Sequence, residues 1–196
     1  MIMKKIFIIL FILLLDACSS SKNVKDLIKV EQIESIYPVE IYATKSKNRI
    51  HAINYPLTYR IKKTNAETTY LIRHGNYYYG NKYCYKGHWY GGGTLFLCKD
   101  GMLKEDVEYL NTDYNEYVAY THHYDIDSTK SVQQMFQPYL EKMKQENKDT
   151  LHIESIQELK KINPELINGF LQGDSIRFRF RYGKKYGTIT LPVEVK

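Results

Sequence analysis

Ile176-Arg177-Phe178-Arg179-Phe180-Arg181-Tyr182, followed after Gly183-Lys184-Lys185-Tyr186-Gly187-Thr188 by Ile189-Thr190-Leu191-Pro192-Val193-Glu194-Val195, is the stretch on which the fold turns. Apolar and polar residues alternate in both runs. Side chains alternate across a strand, so a turn around Lys184-Lys185 brings the two apolar faces together in an antiparallel hairpin. The same alternation places Arg177, Arg179 and Arg181 in a row on the other face. With that turn, Arg177 is expected opposite Pro192, Arg179 opposite Thr190 and Arg181 opposite Thr188, leaving Glu194 as the one diagonal acid. Two uses of the row stay open: a solvated face whose arginine stems cover apolar surface, or a salt-sensitive docking site for an acidic partner or anionic headgroups.

Upstream of the hairpin the period changes to that of helices. Val132, Met135, Phe136, Tyr139, Leu140 and Met143 recur at helical spacing, with Ser131 and Gln134 as a capping box and Pro138 as a kink on the polar side. Ser155 with Glu158 caps a second helix to about Ile162. Asn163-Pro164 opens a third that runs to Gly173 and buries Leu166, Ile167, Phe170 and Leu171. Between Ile36 and Tyr124, short runs rich in Tyr, Ile, Thr and Val, such as Val39-Glu40-Ile41-Tyr42, read as antiparallel strands. The expected fold class is therefore α+β: a sheet-rich N-terminal part packed with about three helices, ending in a β-hairpin.

The 196 residues are 43% hydrophobic and 26% charged, which fits one folded domain and excludes a disordered chain. Met1 to Lys5 carries two positive charges ahead of the apolar run Ile6 to Leu15. That run is too short for a permanent membrane span and reads as an export signal. It ends in Leu15-Asp16-Ala17-Cys18, which resembles the lipobox of bacterial lipoproteins; Asp16 stands where that box commonly has a small or uncharged residue. The resemblance implies removal of residues 1–17, a diacylglycerol thioether on Cys18 and an acylated, palmitate-bearing amino terminus. Several acyl chains make a stable membrane anchor. Residues 18–30 are then expected to be a lipidated tether and 31–196 a single domain. Ser19 after the cysteine implies the outer membrane in enteric-type sorting. Cleavage removes Lys4, Lys5 and Asp16 and leaves a net charge of +5, too modest and too scattered to argue for nucleic acid.

Cys84 and Cys98 are the other two thiols, an even pair in an export compartment. They lie symmetrically about Gly91-Gly92-Gly93, so a glycine turn there predicts a hairpin with a Cys84–Cys98 disulfide; two unbridged thiols are the alternative if the register differs.

Chemistry-bearing patterns are sparse. In His122-His123-Tyr124-Asp125-Ile126-Asp127, an extended backbone would put His123, Asp125 and Asp127 on one face and His122 on the other. The set falls short of a structural metal site and reads first as a solvated loop. His51, His74, His88 and His152 stand singly. No nucleophile elbow or zinc motif is present, and no cofactor, metal or catalytic residue is assigned. Tyr77, Tyr78, Tyr79, Tyr83, Tyr85, Trp89 and Tyr90 crowd one segment, either as strand residues or as an aromatic surface for a glycan or protein. The expected function is a noncatalytic, lipid-anchored envelope lipoprotein that binds a protein or an acidic glycan. An immunity-type inhibitor of a toxin or lytic enzyme, and a metal-assisted hydrolase built on His123, are the alternatives.

Overall fold

The computed structural model describes residues 24–65, 68–80, 83–84, 87–105 and 109–195. Cys18 and the signal segment 1–17 lie outside them. In chain order the elements are α1 (Val24–Leu27), β1 (Ile28–Ile33), β2 (Glu40–Ala43), β3 (Ile50–Asn54), β4 (Pro56–Lys63), β5 (Thr69–Tyr79), β6 (His88–Lys99), β7 (Met102–Lys104), β8 (Asn115–Tyr120) and β9 (His123–Tyr124). Then follow α2 (Lys130–Gln134), α3 (Gln137–Glu146), β10 (Thr150–His152), α4 (Ile156–Ile162), α5 (Pro164–Leu171), β11 (Ser175–Tyr182) and β12 (Lys185–Pro192). Among the described residues the strands make two antiparallel sheets, one ordered β1-β4-β8-β6-β5-β11-β12 with β7 on β6, the other β10-β2-β3-β9. The fold is α+β and closes on the expected hairpin.

In that hairpin Ile176, Phe178 and Phe180 are buried, while Arg179 and Arg181 are exposed and Arg177 is half-buried. The turn is the two-residue Gly183-Lys184, with Gly183 at φ 55° and Tyr182 paired to Lys185. Glycine takes the positive φ that a tight hairpin demands at little steric cost. Arg177 consequently faces Thr190, Arg179 faces Thr188 and Arg181 faces Tyr186, two residues away from the expected register. A slip of two preserves the period of the pleat, so every side chain keeps its face.

Helix boundaries follow their caps. Ser155 and Glu158 form the reciprocal capping box, and the Asn163 side chain accepts from the Leu166 N–H ahead of Pro164. The expected Ser131 box does not form: Ser131 lies inside α2, whose N-cap is Thr129 without a side-chain bond. Pro138 interrupts the helix rather than kinking it, and α3 restarts with proline in its first turn. Proline cannot donate to the preceding turn and is tolerated only near a helix start. The folded part also begins earlier than expected. Val24 and Leu27 of α1 and Ile28 of β1, within the expected 18–30 tether, are buried; the i, i+3 spacing of the first two gives α1 an apolar face that packs against β12.

The glycine-centred hairpin is overturned. Tyr79 pairs with His88, so the β5–β6 connection is 80–87 and Gly91, Gly92 and Gly93 run inside β6. Cys84 sits in that connection while Cys98 lies at the far end of β6 beside Leu103 of β7. Most of β6 lies between the two positions in the chain, and no disulfide joins them. The Tyr37 hydroxyl instead donates to Cys98 Sγ at 3.4 Å, and burial pushes the Cys98 thiol up. Dithiothreitol is therefore expected to leave the melting midpoint unchanged. A bridge closing such a loop would contribute about 3 kcal/mol, so a clear drop on reduction would contradict the unbridged state.

Candidate functional site

The smaller sheet turns one face to the core through Ile41, Ala43 and Ile53 and the other toward a cleft. Glu40 and Tyr42 on β2 and Asn54 on β3 occupy that second face by simple alternation. His51 joins them through a bulge: Tyr42 pairs with Ala52 and Ala43 with Ile50, so His51 is the extra residue. Bulges re-aim a side chain in this way. Phe96 of β6, Leu103 of β7 and Tyr120 of β8 form the opposite wall, and His122 and Tyr124 close one side. Together they enclose about 450 Å³. Tyr120, His122 and Tyr124 are spaced by two, and the last two rings lie near parallel at 5.7 Å between centroids.

One wall of the cleft is a hydrogen-bonded set. The Tyr42 hydroxyl donates to Glu40 Oε2 at 2.6 Å and Asn54 Nδ2 donates to the same oxygen at 3.1 Å. Asn54 is only 5% exposed, yet its Oδ1 has no partner, and neither has Nδ1 of His51 or of His122. Each of these three atoms has almost no accessible surface, so it lies behind the cavity wall rather than on it. Burial, opposed in part by Glu40, lowers the His122 pKa, so its ring is neutral at pH 7. Burial and the Glu40 carboxylate push the Tyr120 phenol up to about 12 and raise Tyr42 further, so both remain protonated donors. Gly93 explains part of the glycine run: a Cβ there would meet the Tyr120 carbonyl at 2.8 Å and His122 Nε2 at 2.9 Å. Its bare backbone lets the His122 ring sit against β6.

His123 points the other way. It is fully buried, not part of a solvated loop, and Asp125 and Asp127 are exposed. Asp125 adopts φ 51°, which breaks the extended backbone that a shared face needs, and Asp127 accepts from the Thr129 N–H. No metal-ligating cluster exists among the described residues. His123 Nδ1 meets Thr121 Oγ1 at 2.9 Å, and Nε2 lies 3.0 Å from the Phe170 carbonyl and 3.2 Å from Asp174 Oδ2. Thr121 Oγ1 also accepts from the Tyr55 N–H, so its hydroxyl proton is available to Nδ1 and the ring proton belongs on Nε2. Tyr55, Tyr77, Tyr79 and Phe170 stand edge-on around this ring. That enclosure makes the histidine a core tie rather than a catalyst open to substrate.

The arginine row lies on the outer face of β11, between β5 and β12. Arg177 Nε donates to Thr190 Oγ1 at 3.3 Å, and Arg181 donates to the Gly183 carbonyl and lies over the Tyr70 ring at 5.9 Å. The aromatic segment splits. Tyr77 and Tyr79 are core residues, Tyr83 packs on Phe170, and Tyr85 is outside the described residues.

The chain matches no known protein family, no curated protein and no solved structure. Among the described residues no Ser, Thr, Cys, Lys or Arg lines the cleft, and its walls are aromatic and imidazole rings, Leu103, the Asn54 amide and the Glu40 carboxylate. Such a cavity can hold and orient a polar ligand against aromatic faces. Sequence reading missed Glu40, Tyr42 and Asn54 and took His51 as ordinary. The legible signal was the Tyr120, His122, Tyr124 alternation, and nothing local pointed to the partners that face it.

Proposed function

We propose that this protein is a noncatalytic lipoprotein of the bacterial cell envelope, anchored through lipid on Cys18, that binds its partner in the cleft between the two sheets. The carrying observation is the cleft itself, where an aromatic wall of Tyr42, Phe96, Tyr120 and Tyr124 stands beside the Glu40 carboxylate. Support for the anchor is the lipobox-like Leu15-Asp16-Ala17-Cys18, and Ser19 favours the outer membrane. No helix among the described residues is long and apolar enough to cross a membrane, so attachment by lipid suits the chain. The partner is a glycan or a protein that offers a polar group small enough to enter.

The anchor and the cleft are tested separately. Cys18→Ala is expected to move the protein out of the membrane fraction or stall its export, and mass spectrometry of the native protein should find a lipidated Cys18. An unlipidated mature terminus overturns the anchor. Fragments of solubilised envelope glycan or protein should shift the His51 and His122 imidazole resonances of the full chain in detergent. Shifts confined to the outer face of β11 would move the binding site to Arg177, Arg179 and Arg181 and overturn the cleft.

A further inference from the structure

We propose that the outer face of β5, β11 and β12 lies against the anionic phospholipid headgroups of the membrane that holds Cys18, with Arg177, Arg179 and Arg181 as its cationic row and Tyr109 and Tyr186 as flanking rings. This rests on the lipid attachment at Cys18 and adds a contact surface to it.

Charge is the first argument. Directly paired residues of neighbouring strands project to one side of a sheet. Arg177 therefore shares its face with Asn76 and Thr190, Arg179 with Ile72 and Thr188, and Arg181 with Tyr70 and Tyr186. None of these neighbours is acidic. Arg179 and Arg181 are exposed, and among the described residues neither forms an ion pair. The closest exposed acid along the chain of β12, Glu194, lies four residues beyond Thr190 and away from the turn. Lys184 and Lys185, both exposed, extend the positive charge at the turn itself. Each basic residue held near an anionic lipid surface strengthens attachment about fivefold.

The second argument is the set of rings beside that charge. Tyr186 pairs with Arg181, Arg181 with Tyr70, and Tyr70 bridges to Tyr109, so four side chains stand in one line across the sheet. The hydroxyls of Tyr70 and Tyr109 share a hydrogen bond at 2.8 Å. At the two ends of the line Tyr186 is 65% exposed and Tyr109 57%. A tyrosine has an apolar body and a polar tip, which suits the boundary between headgroups and hydrocarbon. Arginine beside it keeps its guanidinium with the phosphates while its stem lies along the apolar surface. An acidic chain in water would answer the charge and leave both outer rings wet.

The third argument is where the anchored end of the chain enters the fold. Val24 of α1 is seated on β12, since a Cβ at Gly187 would meet Val24 Cβ at 2.6 Å, and β12 is an edge strand. Gly187 pairs with Phe180, so Val24 covers the core side of β12; its neighbours Tyr186 and Thr188 pair with Arg181 and Arg179 on the outer side. Val24 is six positions after Cys18, a reach of at most roughly 20 Å. A packed sheet layer is about 10 Å thick. The tether is long enough to round the β12 edge and too short to carry the domain far from the bilayer. Headgroup contacts that are weak in free solution then act at high effective concentration.

The test reconstitutes the protein purified from membranes into nanodiscs of phosphatidylcholine, alone or mixed with phosphatidylglycerol, and reads the broadening of the Tyr109 and Tyr186 ring resonances by a headgroup nitroxide. Broadening is expected to be at least about fivefold greater on anionic discs than on neutral ones. Arg179→Gln with Arg181→Gln should remove that excess without changing the backbone spectrum, and so should salt at about 1 M, where charges are screened within about 3 Å. Equal broadening on both discs, or an excess that survives the double variant or the salt, overturns the face. Displacement of the rings from anionic discs by soluble polyglutamate at equal charge makes an acidic chain the occupant and overturns the membrane. Co-elution with neutral discs but no broadening on anionic ones keeps the anchor and rejects the face, whereas failure to co-elute with either kind rejects both.

Discussion

Replacing Asp174 with alanine is expected to cost about 3–5 kcal/mol of stability, the range seen when one partner of a buried ionic or hydrogen-bonded pair is removed. Asp174, immediately before β11, is 1% exposed. Its Oδ2 accepts from the Tyr77 hydroxyl at 2.7 Å and lies 3.2 Å from His123 Nε2, while Oδ1 accepts from the Gly80 N–H at 2.7 Å. One carboxyl thus ties the end of β5, the short strand β9 and the joint between α5 and β11. Truncation leaves the buried Tyr77 hydroxyl without this acceptor, at about 1–3 kcal/mol, and removes the bond to the half-buried Gly80 amide. Burial, reinforced by Asp174, holds Tyr77 far above its ordinary pKa, so the phenol cannot escape by ionising. Urea unfolding should show a lowered midpoint with an unchanged slope. Asp174→Asn, which keeps an acceptor oxygen, should lose less. A loss from Asp174→Ala below about 1 kcal/mol, the cost of an ordinary single hydrogen bond, would show that the three elements do not depend on this tie.

Phe170→Ala is expected to cost about 3–5 kcal/mol through lost burial and the cavity left behind. The ring is fully buried and meets Tyr55, Tyr83, His123 and Phe136, with centroids 5.2–6.3 Å away. These neighbours come from both sheets' connections and from the α2–α3 joint, so their collapse into the void is limited by strands held in register. Ile162→Ala on α4, at 65% exposure, is the control and should stay within about 0.5 kcal/mol. Since Phe170 and Asp174 both bear on His123, the double variant should lose less than the two single losses combined. Strict additivity would show that the histidine does not couple them.

The elements that were legible from sequence share a short range. The capping box of Ser155 and Glu158, the Asn163-Pro164 start of α5 and the alternation of Ile176, Phe178 and Phe180 each depend on residues within a few positions of one another. The misread elements were also local in appearance. Three consecutive glycines look like a turn, yet β6 runs through them because pairing with Asn76 and His74 of β5 and packing against Tyr120 and His122 outweigh the intrinsic preference. Ser131 with Gln134 has the spacing of a capping box, but Thr129 precedes it and starts the helix earlier.

The amino-acid order by itself determined the period of each element, the face that each side chain takes on β11 and β12, and two of the helix starts. Those features are set by backbone geometry and by hydrogen bonds that close within a turn or across one hairpin. Only the tertiary structure decided that Glu40, His51, Asn54, Phe96, Tyr120 and His122 share a cavity and that His123 meets Asp174 in the core. These meetings depend on the order of strands in two sheets and on a bulge at His51. Strand order is settled by the burial of the whole apolar surface, a sum over distant residues that no local pattern encodes.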